Sequence, residues 1–198
     1  MNHLVRLIFG HIDLWTALIA LLCGALQVRR SWNVSRWSEA TLLWIAFWVM
    51  GLGGLYGFAM HIAFGQFIAE QIGWPNSPFQ NEVAFANLTI GILGLSSFWR
   101  RSRDYLVASI VAYASWFFVD GLGHVYSLVV QSNDAPSNVG TILFTDLLMP
   151  ILVVILLWLS REEGTRLKRK PKKHFRFVVA SCAPFKNTAE IPLLILGE

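Results

Sequence analysis

Apolar runs of about twenty residues recur along this chain, broken only by short polar connections, and that pattern leaves few folds open. The runs cover approximately Leu7 to Val28, Thr41 to Glu70, Glu82 to Trp99, Tyr105 to Val130 and Val139 to Ser160, taken here as spans one to five. A helix needs about 20 predominantly apolar residues to cross the hydrocarbon core, and it satisfies its own backbone groups while doing so. Composition agrees: 55% of the residues are hydrophobic and 14% charged, where a soluble domain carries roughly a quarter charged. The expected fold is all-α, a polytopic transmembrane helix bundle of five spans. Span one must tolerate His11 and Asp13, so the alternative is a four-helix core plus a peripheral first helix. Span two is longer than a bilayer requires.

The connections set an orientation. Arg29, Arg30 and Arg36 follow span one, and RRSRD (Arg100 to Asp104) follows span three; the neutral IGWPNSP turn and the base-free QSNDAPSN follow spans two and four. After span five comes RLKRKPKKHFR, Arg166 to Arg176, which holds most of the net charge of +4. Every positive connection therefore falls on one side, which predicts an N-terminus outside and a C-terminus in the cytoplasm. The basic excess reads as a cytoplasmic flank rather than a nucleic-acid surface. Residues 1–160 form the bundle and 161–198 a basic cytoplasmic tail, interrupted by Pro171, Pro184 and Pro192 and suited to anionic lipid headgroups. The N-terminal stretch has no small-x-small cleavage site and reads as a retained helix. Cys23 and Cys182 form neither a C-x-x-C pair nor a metal spacing.

In span two, GLGGLYG places Gly53 and Gly57 as a small-xxx-small pair for close helix approach. Trp32, Trp37, Trp44, Trp74 and Trp99 fall near predicted boundaries and are expected to anchor them.

The strongly polar residues inside the spans, ionisable except for Asn87, are not spread evenly. His11 and Asp13, His61 and Glu70, Glu82 and Asn87, Asp120 and His124, and Asp146 all fall in the outer halves, whereas the cytoplasmic halves hold essentially none. A polar pocket opening outward above an apolar plug fits this better than an ion path through the membrane. Asp120 and His124 in VDGLGHVY are four apart and share a helix face. Pro150 removes the hydrogen bond that the carbonyl of Asp146 would otherwise accept. His61, Glu82, Asn87, Asp120, His124 and Asp146 are the ligand-binding candidates. Five of them are ligand types for iron, zinc or manganese, but the paired Glu-x-x-His motifs of a di-iron bundle are absent. No nucleophile elbow, phosphate loop or haem-attachment motif is found.

Ser77-Pro78-Phe79-Gln80 reads as a capping box, with Ser at the N-cap, Pro at the first helical position and Gln at the third. Glu82 then sits where the helix dipole favours a negative charge. The string IGW-x-x-SPFQ-x-EVAFAN, with GLGHVY in the next helix, resembles an uncharacterised family of small bacterial inner-membrane proteins over roughly Met60 to Tyr126. In size and helix count the chain is also distantly similar to DoxX-type proteins, some of which are subunits of quinone-linked sulfur oxidation. These resemblances imply fold and location. The function expected is an accessory or small-ligand-binding subunit, with a membrane protein partner or a homo-oligomer; the alternatives are a metal- or quinone-dependent redox enzyme and, last, a transporter.

Overall fold

Asn33 opens the longest apolar helix: its side-chain oxygen accepts the backbone N–H of Ser35 at 2.8 Å and of Arg36 at 3.4 Å, an N-cap that draws VSRWSE into the helix ahead of the apolar run. In the computed structural model, which describes residues 11–160, the elements are α1 (Ile12–Val28), α2 (Val34–Ala63), α3 (Gly65–Ile72), α4 (Phe79–Arg100), α5 (Arg103–Gln131), the single turn α6 (Pro136–Val139) and α7 (Thr141–Leu159). There is no strand among these residues. The segment 161–198, expected as a basic tail, lies outside the described residues, as does the start of span one.

Four helical stretches, Val34–Ala63, Phe79–Arg100, Arg103–Gln131 and Pro136–Leu159, are long and apolar enough to cross a membrane, and α1 is a shorter apolar helix of 17 residues. α1 is no bystander. Its Ala17 and Ala20 join Leu42, Ile45, Met50, Ile110, Tyr113, Val153 and Leu156 in one buried core, while Leu14, Leu18, Leu22 and Leu26 on its other face stay exposed, as a lipid-facing side should. The helical bundle expected from the sequence is the observed architecture.

Span two is the segment that departs most from expectation. Its helix begins at Val34 instead of Thr41 because of the Asn33 cap, and it stops at Ala63, where Phe64 leaves the helical region (φ −132°, ψ 33°). The rest becomes α3, closed by left-handed Gly73 (φ 78°), whose N–H reaches the carbonyl of Ala69 at 2.9 Å, the usual helix stop. Inside α2, Ala46–Gly53 is wound as a π-helix. The glycines that let α2 meet α4 are Gly51 and Gly54 against Gly91 and Gly94: a Cβ at Gly54 would lie 2.8 Å from both the carbonyl oxygen of Asn87 and the amide nitrogen of Gly91. Gly53, expected in this role, faces away; a Cβ there would meet only the carbonyl of Trp48, 3.6 Å off.

The capping box expected at Ser77 does not form. α4 starts at Phe79 without a side-chain cap, and the backbone carbonyls of Ser77 and Pro78 take the N–H groups of Gln80 and Asn81 at 3.1 and 3.0 Å. Gln80 has a better partner elsewhere, described below.

The bundle thus has two unlike ends. Arg29, Arg30, Arg36, Arg100, Arg101 and Arg103 all lie at connections or helix ends on one of them, where Arg103 donates to the hydroxyl of Ser160 at 3.1 Å. At the other end lie α3, α6 and the starts of α1, α4 and α7.

Candidate functional site

The polar end is built on α5 and α7 and tied together by asparagines. Asn138, fully buried in the turn α6, accepts a hydrogen bond from Nδ1 of His124 at 2.9 Å and donates to the carbonyl of Asn133 at 2.7 Å. Asn133 in turn donates to the carbonyl of Ile72 at 2.9 Å, which fastens the end of α3 to the connection between α5 and α6. Trp74, next along, stacks on the imidazole of His124 (centroids 5.5 Å apart, planes 18° apart) and donates its indole N–H to Ser127 at 3.2 Å.

This scaffold fixes the histidine. Because an amide oxygen can only accept, Nδ1 of His124 carries the proton, and in the neutral ring Nε2 presents a lone pair. Nε2 points toward Asp146 on α7, whose Oδ2 is 3.9 Å away, too far for a hydrogen bond. Asp120 completes the group: one donor atom from each of Asp120, His124 and Asp146 lies within 4.8 Å of the others. His124 is 3% exposed and Asp146 7%; Asp120 is half-buried. Asp120 and His124, expected to pair from their spacing, come within 4.8 Å of one another, while the ion-pair contact of the histidine is with Asp146 on α7.

The charge balance at this end is unusual. Among residues 11–160 there is no lysine, and every arginine lies at 29–36 or 100–103, so the two carboxylates face each other across a histidine with no permanent cation nearby. Asp13 on α1 is within electrostatic reach of Asp146, and His61 on α2 within reach of Asp120. Asp13 accepts a hydrogen bond from Thr145 at 3.0 Å, and His11 is bonded to Thr141 at 3.1 Å, so α1 is stitched to the start of α7.

The remaining candidates divide. His61 shares a 2.6 Å hydrogen bond with the side chain of Gln80, which is where the glutamine of the SPFQ turn is spent, and it stands at the border of the cluster. Asn87 is buried in the seam between α2 and α4, donating to the carbonyl of Val83 at 3.0 Å and lying over Gly57. Glu82 is exposed and apart from the triangle. Sequence reasoning missed Asn133 and Asn138, which read as ordinary turn residues, and it took Trp74 for a boundary anchor. Only the position of Trp74 straight after the helix-stopping Gly73 signalled a ring held in a fixed place.

The triangle is closed on one side and open on another. Gly121 packs against Leu147 and the backbone of Asp146, whereas a Cβ added at Gly123 would meet nothing within 4 Å. Asp120 is the least buried member of the triangle, and Gly123, beside His124 in the chain, borders open space. Two apolar clefts, each of about 520 Å³, lie on the outer faces of α4–α5 and α5–α7, and neither is lined by a member of the triangle.

No curated protein and no solved structure matches the sequence. Residues 10–166 match DUF6790, a family of unknown function, and the chain belongs to that family.

Proposed function

We propose that this chain is a multi-pass protein of the bacterial inner membrane whose polar end faces outward, N-terminus outside and C-terminus cytoplasmic, and binds a small cationic ligand. The observation that carries this reading is the convergence of Asp120, Asp146 and His124 with no lysine or arginine near to balance the two acids. Unpaired carboxylates are expensive at membrane depth and mark sites of function when they persist. The opposite half supports binding over conduction: Leu42, Ile45, Met50, Ile110, Val153 and Leu156 are buried in a core that holds no acid, histidine, lysine or arginine, so the layer ends on an apolar plug. Transport across the bundle is the weakest of the three readings for that reason. An accessory role fits a chain that offers a site but no reaction-specific motif.

Gly123→Cys, in a background with Cys23 and Cys182 replaced by Ser, tests accessibility and orientation together. A membrane-impermeant maleimide should label Cys at position 123 in intact cells stripped of their outer membrane and leave it untouched in inverted vesicles. Labelling confined to inverted vesicles would overturn the outward-facing pocket.

A further inference from the structure

The ligand class can be narrowed, on the reading above that the polar layer is an accessible binding site. We infer that Asp120, His124 and Asp146 form a site for one divalent first-row transition metal ion. Three independent features meet here. First, His124 is held as a metal-binding histidine is commonly held, with Nδ1–H bound to a fixed acceptor at 2.9 Å and Nε2 left to coordinate. Second, Nε2 of His124 and Oδ2 of Asp146 stand 3.9 Å apart on side chains only 3% and 10% exposed. Two donors on one ion with bonds of about 2.2 Å can stand up to about 4.4 Å apart, so this pair already spans an ion, and the widest separation in the triangle, at most 4.8 Å, closes with a small side-chain movement. Third, two carboxylates and a neutral imidazole sum to a charge that a divalent ion cancels, leaving a neutral site in a medium that penalises net charge.

The donor set also selects among divalent ions. Carboxylates alone suit magnesium and calcium, while an imidazole shifts preference to manganese, iron, cobalt and zinc. Three protein ligands leave at least one coordination position, and Asp120, half-buried where His124 and Asp146 are buried, is the ligand through which that position would be reached. Asn138 is then a positioning residue, acting on the metal through the tautomer and orientation of His124.

The test uses the full chain in mild detergent, freed of metal with a chelator and titrated with Co²⁺, whose visible absorption reports its ligands. Uptake of one ion per chain is expected, with affinity lowered about 100-fold or more in Asp146→Asn and His124→Gln, about 10- to 100-fold in Asn138→Ala, and unchanged in Glu82→Gln. His124→Gln also disturbs Asn138 and could lose the fold; Asp120→Asn, which gives up no hydrogen bond, is the second ligand variant and should weaken binding while the helical circular dichroism stays intact. Bound Co²⁺ should quench the Trp74 ring stacked on its ligand, and Trp74→Phe should remove that part of the quenching. Absence of Co²⁺, Zn²⁺ and Mn²⁺ binding by the wild type, equal affinity in folded Asp146→Asn and Asp120→Asn, or no preference over Mg²⁺, would each overturn the metal site. Outward labelling of Gly123→Cys without metal binding would retire this inference and leave the pocket standing.

Discussion

The two halves of this bundle are held together by different forces. Away from the polar end the buried interior is mostly apolar with a few small hydroxyl side chains, and helices meet by shape: near mid-bundle, glycines 51, 54, 91 and 94 let α2 and α4 touch backbone to backbone, and the π-helical stretch Ala46–Gly53 lies in that contact. At the polar end the helices meet through side-chain hydrogen bonds, with Asn133 and Asn138 joining three separate segments. Lipid tails are as apolar as leucine, so burial of aliphatic side chains gives membrane helices little reason to prefer each other, and close packing or polar bonding must supply it. One half is specified by what is absent, namely Cβ atoms, and the other by what is present. They should therefore fail under opposite kinds of substitution.

The largest effect is expected from adding bulk to the packed half. A Cβ at Gly94 would lie 2.6 Å from both the amide nitrogen of Gly51 and the Cβ of Met50, and closer still to the carbonyl of Ala46. Two of those neighbours are backbone and cannot turn aside. Gly94→Val should cost about 3 kcal/mol or more, at the upper end for overpacking, read as the shift in denaturant unfolding of the detergent-solubilised protein. A near-neutral result would mean that α2 and α4 are not in contact as described. Next in size is the polar half: Asn138→Leu fills the same space but strands Nδ1–H of His124 and the carbonyl of Asn133. Leaving buried polar groups unmade costs about 1–3 kcal/mol. If the leucine were tolerated or stabilising, the asparagine latch would not be what joins these segments.

The sequence made one kind of information legible and hid another. The apolar runs, the alternation of arginines and the clustering of acids and histidines toward one end depend on residue type along the chain, and four long apolar helices with a shorter first one follow the runs. Register between helices does not. Gly53 was the expected packing glycine because it stands four from Gly57, yet Gly54 makes the contact, since a π-helical stretch just before it resets which residue faces α4. Gln80 was expected to cap α4 and instead bonds His61, 19 residues away in sequence. Asp146 showed as a lone acid beside a proline; only the packing of α7 against α5 makes it a neighbour of His124. The partners of the site residues are long-range, so no local pattern announced them.

A smaller effect separates the halves further. Ser97 donates to Ser109 at 2.9 Å in the buried interior of the arginine end, a polar pair within the half assigned to shape. Ser97→Ala should cost about 0.5–1 kcal/mol, the ordinary worth of one hydrogen bond and similar to interhelical bonds in lipid. A loss as large as that of Asn138→Leu would blur the division and make polar bonding general.

The smallest expected effect carries a change of sign. Gly53 and Gly54 are adjacent, and both are helical, but only Gly54 lies in the seam with α4. Alanine at Gly53 would meet nothing nearer than the Trp48 carbonyl at 3.6 Å, so it should keep the packing and reduce the backbone freedom of the unfolded chain, raising stability by up to about 1 kcal/mol. Alanine at Gly54 places a methyl group 2.8 Å from two backbone atoms and should destabilise by about 1–3 kcal/mol. Unfolding of the two variants side by side tests the register that the π-helical stretch imposes. Were Gly53→Ala the damaging one, α2 would pack one residue out of the register described, and the glycine spacing of the sequence would have been the better guide to this seam.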